Sequence, residues 1–213
     1  RRSTDRRGGY GGAPGLTRTS NYPLREGVRN RQGEYGKAMD EGQDFWVFGY
    51  GSLIWNPGFD HLEAAKARLP GYHRALCVRS HVHRGTPERP GLVFGLDRGG
   101  SCVGMAFRVS GDKRGEVLDY LRARELVTHV YREMTLSIRL LDGRGVHAVT
   151  YVVDRGHSQY AGRPSVADAA RIVMGAHGRS GPNIDYVANA LTEIHRMGLK
   201  DRWLEAVIAH MRA

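Results

Sequence analysis

The stretch Phe45-Trp46-Val47-Phe48-Gly49-Tyr50-Gly51-Ser52-Leu53 decides how the rest of the chain is read. Four apolar residues in a row, each aromatic or β-branched, match a strand buried on both faces. The two glycines at alternate positions then break the strand and open a loop. Glycine lets backbone N–H groups turn inward against a ligand, and successive inward amides form a nest for a carboxylate or an oxyanion. The pattern lacks the third glycine of a dinucleotide fingerprint and the Gly-Lys-Ser/Thr of a phosphate loop, so neither nucleotide class is indicated. From spacing alone, a tight turn at a barrel corner fits as well as a binding loop.

Downstream, residues 71–79, 91–96 and 103–109 read as strands, the last from alternation of Val103, Met105, Phe107 and Val109. Residues 115–128 read as a helix. Tyr131 to Leu141 alternates strictly, with Arg132, Met134, Leu136, Ile138 and Leu140 on one face and Tyr131, Glu133, Thr135, Ser137 and Arg139 on the other. That places Glu133 on a polar face, in an exposed role. Asp142-Gly143-Arg144-Gly145 makes a turn, and residues 146–153 return as the partner strand. Helices follow over about 165–177, 183–197 and 201–212, with Pro182-Asn183 as a start and Gly178 and Gly198 as stops. Strands first and helices last, with one helix between, is an α+β pattern. Five or six short strands suit a small mixed β-barrel, closed or nearly so, with flanking helices.

Upstream, residues 1–40 differ in kind. They hold nine of the 32 Lys and Arg residues and four of the 22 acids, so half of the net charge of +10 falls there. The run Arg6-Arg7-Gly8-Gly9-Tyr10-Gly11-Gly12 has no helical or strand period and buries too little to offset ordering entropy. Residues 1–40 are expected to form a flexible basic tail and 41–213 one folded domain. An Arg/Gly/Tyr arm is a possible nucleic-acid contact, but a charge run alone is weak ground, and a solvated extension is the preferred reading. With 40% hydrophobic and 25% charged residues, wholesale disorder is excluded. No apolar run reaches the ~18 residues of a membrane span. The start, Arg1-Arg2-Ser3-Thr4, has neither an initiator Met nor the apolar stretch of a secretory signal. Two cysteines, Cys77 and Cys102, make no disulfide scaffold or metal spacing. The expectation is a soluble cytoplasmic protein without a membrane partner.

The sharpest oddity is an acid on the first helix. At about 100° per residue from Leu118, Leu121 falls near 300° and Glu125 near 340°. Glu125 therefore shares the apolar stripe, where lost hydration raises its pKa and favours proton acceptance near neutrality. A salt-bridged Glu at the rim of the stripe is the competing interpretation. Other chemistries fare worse. His81 and His83 have alternate spacing but no carboxylate or cysteine partner at ligand spacing. Ser52 lacks the Gly-x-Ser-x-Gly elbow. No metal is expected.

The residues now gathered also resemble a known family. From Phe45 to about Met211 the chain is similar to the ChaC-type γ-glutamylcyclotransferases. Val47-Phe48-Gly49-Tyr50-Gly51-Ser52-Leu53-Ile54-Trp55 resembles the family's substrate loop almost letter for letter. His83-Arg84-Gly85, Pro90-Gly91, Tyr120-Leu121-Arg122-Ala123-Arg124-Glu125, Val149-Thr150-Tyr151-Val152, Tyr160-Ala161-Gly162 and Ser180-Gly181-Pro182-Asn183-Ile184-Asp185-Tyr186 follow in order. The resemblance implies conversion of glutathione into 5-oxoproline and Cys-Gly, with no metal or organic cofactor. It implies Glu125 as the catalytic acid and base, and Val47, Phe48, Gly49, Tyr50, Gly51, Ser52 and Leu53 as the substrate loop. It adds Arg84 as a fork for a substrate carboxylate and Tyr151 as a hydroxyl donor into the cavity. Another γ-glutamyl amine or amino acid is an alternative substrate. A non-catalytic binder of an anion or a nucleic acid is the other, and nucleic acid is the least favoured partner.

Overall fold

The computed structural model describes residues 42–212, so the expectation of a tail over 1–40 lies outside the described residues. All of them fall within one unit, Met39–Ala213. The chain runs β1 (Phe45–Gly49), β2 (Glu63–Ser80), β3 (Gly91–Val109), α1 (Arg114–Glu125), β4 (Tyr131–Leu140), β5 (Gly145–Val153), α2 (Val166–Gly175), β6 (His177–Gly178), β7 (Gly181–Pro182), α3 (Asn183–Arg196) and α4 (Arg202–Arg212). Strands β1 to β5 close a mixed barrel in the order β1-β3-β2-β4-β5. Most pairings are antiparallel; β5 runs parallel to β1 at Trp46–Ala148 and Val47–Val149, which seals it.

Every residue of β1 is buried. Trp46 and Phe48 join the larger apolar cluster with α2, α3 and α4, whereas Phe45 and Val47 join a second cluster with Val117 and Leu121 of α1. Coverage on both faces is why β1 reads as an unbroken apolar run. Strand β4 is covered on both faces too, but at different ends. Ile138 and Leu140 are buried on one face, while Tyr131 and Glu133 are half-buried on the other. The expected exposed role of Glu133 is thus corrected. Arg122 of α1 reaches it through two hydrogen bonds of 2.8 Å and partly shields it from solvent.

Four boundaries differ from the expectations. The candidate strand at 71–79 begins eight residues earlier, at Glu63. The candidate strands at 91–96 and 103–109 are one strand of 19 residues, paired along its length with the 18-residue β2. Helix α1 stops at Glu125 rather than 128, because His129 takes a left-handed φ of 57° and the chain turns there. Helix α2 stops at Gly175, and Gly178 instead lies in the small β6–β7 turn, against the backbone of His83. Gly198 does follow α3 in a left-handed conformation, with φ 71°.

The open edge of β3 is finished by side chains. Leu96 bridges to Val152 of β5. Two residues earlier, the Phe94 N–H donates to the Tyr186 hydroxyl at 3.2 Å and the Phe94 C=O accepts from Tyr131 at 2.7 Å. Two earlier again, Asn183 accepts from the Leu92 N–H at 2.7 Å and donates to the Leu92 C=O at 2.8 Å. Alternate residues of a strand direct both backbone groups to the same edge. Asn183 and Tyr186, three apart on α3, lie on one helix face and reach successive sites along that edge.

Candidate active site

A cavity of about 530 Å³ opens where the end of β1, the end of α1 and the start of α3 converge. Its wall includes Tyr50, Gly51, Ser52, Leu53, Arg84, Glu125 and Tyr151. Seven of the ten expected site residues thus meet in one place. Val47 and Phe48 do not; both are fully buried, in opposite clusters. Gly49 ends β1 behind the cavity, and a side chain there would stand 2.8 Å from the Leu53 Cβ, so the loop can fold back on the strand only over glycine.

The loop beyond Gly49 makes one 3₁₀ turn, Ser52–Ile54. Its first internal bond is Ile54 N–H to Gly51 C=O at 2.9 Å. The Ser52 and Leu53 amides precede that bond and are left over by the turn, as at any helical N-terminus. Both residues line the cavity, so these amides are candidate donors to a ligand there. Arg74 fixes the loop from behind by donating to the Tyr50 C=O and, at 2.8 Å, to the Val103 C=O.

Glu125 is the last residue of α1, with a side chain only 18% exposed. Burial raises its pKa above the ordinary 4.5, and the neighbouring Arg124 charge pulls the other way. The Glu125 charge in turn helps raise the pKa of Tyr50, Tyr131, Tyr151 and Tyr186, for each of which burial is the larger cause. These tyrosines come from the loop, β4, β5 and α3, and they wall the carboxylate with rings rather than with water.

Tyr151 needs a different role from the one expected. Its hydroxyl donates to Glu133 at 3.2 Å, and Glu133 is itself held by Arg122. That proton is already engaged, so toward the cavity Tyr151 offers a lone pair, which accepts. Arg84 donates to the Pro182 C=O at 3.2 Å and lies over the Tyr186 ring, 5.5 Å from its centroid. The remaining guanidinium N–H groups have no protein partner among the described residues, which suits the anticipated carboxylate fork. His81 and His83 also line the cavity, with His83 Nδ1 3.1 Å from the Ser180 hydroxyl. Cys77 and Cys102 are buried free thiols. Burial pushes Cys77 up to about 12 and raises Cys102 as well, so neither is a nucleophile at neutral pH.

Sequence reasoning missed Tyr131, Tyr186 and Arg124. Tyr186 closes the Ser180–Tyr186 segment, and Tyr131 stands at the start of an alternating strand; neither position looks like a cavity wall until β3's free edge is seen. Arg124 sits beside Glu125 in sequence, and it donates to the Ser52 hydroxyl at 2.9 Å and to the Asn56 and Pro57 carbonyls at 2.8 and 3.3 Å.

Known proteins resemble this chain in sequence and in fold. The family of ChaC-like proteins matches residues 45–213. A glutathione-specific γ-glutamylcyclotransferase of Escherichia coli is 33% identical over 173 residues, 81% of this chain and 74% of that protein. Glutathione-specific γ-glutamylcyclotransferase 1 of Mus musculus is 31% identical over 172 residues, 78% of this chain and 77% of that protein. In fold, a crystal structure of the yeast γ-glutamyl cyclotransferase specific to glutathione superposes with a TM-score of 0.73 at 21% identity, covering 80% of this chain and 96% of that one. A largely buried carboxylate and a glycine loop lining one cavity, on a barrel of this topology and with these relatives, identify the chain as a member of the ChaC-like protein family.

Proposed function

We infer that this chain is a glutathione-specific γ-glutamylcyclotransferase, which cleaves the γ-glutamyl bond of glutathione to give 5-oxoproline and Cys-Gly. The observation that carries the reading is the desolvated Glu125 carboxyl in the same cavity as Ser52 and Leu53. The cavity lies within the ~300–1,000 Å³ range of small-molecule sites.

The reaction is an intramolecular aminolysis. The cavity folds the flexible glutamyl chain so that its α-amine meets its own γ-carbonyl, and orientation of this kind supplies up to roughly 7–11 kcal/mol. Glu125 takes a proton from the ammonium, because only the neutral amine is a nucleophile. The nitrogen–carbon bond of the lactam forms, and the carbonyl oxygen becomes an oxyanion opposite the loop amides, each such donor being worth ~3 kcal/mol. The amide carbon–nitrogen bond then breaks as Glu125 returns its proton to the departing Cys-Gly nitrogen, and the ring nitrogen gives up its second N–H proton, which ends on the free Cys-Gly amine. Tyr151, with its own proton on Glu133, accepts a hydrogen bond from the substrate ammonium. Arg84 holds a carboxylate at the far end of the tripeptide. Val47, Phe48 and Gly49 act at one remove, by seating the loop.

No residue in this scheme needs a metal or an organic cofactor. A thiol-containing substrate suits a reducing cytoplasm, as do two buried free cysteines. Among the described residues, no helix is long and apolar enough to cross a membrane. Offering glutathione and γ-glutamyl-alanine to the purified protein and measuring 5-oxoproline tests the assignment. Glutathione is expected to be the better substrate; equal or faster turnover of γ-glutamyl-alanine moves the assignment to another γ-glutamyl compound.

A further inference from the structure

We propose that Arg124 is a positioning residue that sets the spacing between the general base and the oxyanion loop, by holding residues 52–57 and the Glu125 carboxylate with one planar guanidinium. The proposal rests on the reading of Glu125 as the base.

The contacts divide by nitrogen. Nη2 donates to the Ser52 hydroxyl at 2.9 Å. Nη1 donates to the Asn56 and Pro57 carbonyls and, at 2.9 Å, to the Tyr120 hydroxyl. Nε stands 3.3 Å from Glu125 Oε1. Neighbours in sequence on a helix point about 100° apart and do not normally meet. These two meet because Glu125 is the final helical residue and both side chains bend toward the cavity, where both are four-fifths buried. The loop is pressed onto the same helix a second way, since Gly58 has a φ of 76° and any side chain there would overlap the Tyr120 hydroxyl.

The chemistry explains why the link matters. Proton acceptor and oxyanion donors lie on different elements, α1 and the β1–β2 loop, and the substrate must reach both at once. A misplacement of about 1 Å costs on the order of a hundredfold in rate. Only a guanidinium presents donors in a fixed fork wide enough to hold Ser52, the Asn56 and Pro57 carbonyls and Glu125 together; an ammonium offers three donors from one point. The same cation is the charge that opposes the burial of Glu125, whose other titratable neighbours are Tyr50, Tyr131, Tyr151 and Tyr186.

Two variants of the full chain separate spacing from charge. Arg124→Lys keeps a cation but loses the fork. It is expected to lower kcat about tenfold or more, leaving the acid limb of the pH–rate profile where it is in the parent. Arg124→Met loses both, so kcat falls at least as far and the acid limb moves to higher pH by roughly half a unit or more. Melting temperature and glutathione-dependent stabilisation are measured alongside. If Arg124→Met does not fold, Arg124→Lys alone decides the matter. Parental kcat in Arg124→Lys, or an unmoved acid limb in a folded Arg124→Met, overturns the proposal. Glu125→Gln in the same series distinguishes the two levels. If it is inactive, a failed Arg124 test refutes only the positioning role; if it turns over normally, the base assignment falls and the positioning role with it.

Discussion

In the proposed mechanism one carboxyl group, Glu125, carries the chemistry, and its surroundings determine how it responds to pH. Burial is the first cause acting on Glu125 and it raises the pKa; Arg124 only moderates it. Turnover requires the ionised form, so the acid limb of kcat/KM is expected above the ordinary carboxylate value and the rate falls as pH drops through it. A profile flat down to pH 4.5 contradicts a base with this environment. The sign for stability is opposite. A carboxyl with a raised folded pKa binds its proton more tightly in the native state, so stability declines as pH rises from the unfolded to the folded pKa. Above that window the buried charge is a standing cost, which Glu125→Gln removes. That variant is expected to lose turnover by about a thousandfold or more while melting no lower than the parent at neutral pH. A fall of several degrees in melting temperature with the rate retained would identify Glu125 as structural instead. Helical spacing placed this acid among leucines but left a salt-bridged rim Glu open, and the family resemblance singled it out. Of the tyrosines around it, Tyr131 and Tyr186 were not legible, since they come from β4 and α3 and only barrel closure brings them beside Tyr50 and Tyr151.

At the level of elements, legibility followed the range of the forces involved. The β4–β5 hairpin, α3 and α4 announce themselves through local period and turn residues, and their observed bounds lie within a residue or so of the expected ones. Strands β2 and β3 do not. Residues 63–70 are rich in alanine and charge, and they are extended because β3 pairs with them residue by residue, an interaction outside any local window. The Gly99-Gly100 pair, which splits β3 for a reader of sequence, takes φ values of 101° and 68° and passes through the ladder. Asn183 is a similar case: a polar residue at a helix start reads as a cap, but here it is completely buried and bonds both backbone groups of Leu92. Asn183→Ala would leave a buried N–H and a buried C=O unpaired, at about 1–3 kcal/mol each. Spread over a domain of this size, the expected loss is roughly 5–15 °C in melting temperature. Because Tyr186 lies one turn further along α3, KM should rise as well. A variant that melts with the parent would show that β3's edge does not depend on this clamp.

For the whole molecule, the question is what residues 1–40 contribute to a reaction completed elsewhere. Among the described residues, the barrel closes between Phe45 and Val153, three apolar clusters form, and the cavity wall includes Tyr50. Their net charge is nevertheless half of the total of +10, so a chain of residues 41–213 carries +5. Glutathione is anionic at neutral pH, and a positive field raises the encounter rate with an anion. Charges beyond about 8 Å are largely screened at physiological ionic strength. The expected result of deleting residues 1–40 is therefore specific. Melting temperature and kcat stay with the parent if these residues act through their charge alone. At low salt, kcat/KM falls by about threefold or less, and the difference vanishes near 0.15 M. A lower kcat at every ionic strength would mean that residues 1–40 act on the site directly rather than through their charge, and the domain boundary drawn at residue 41 would then have to move toward the N-terminus.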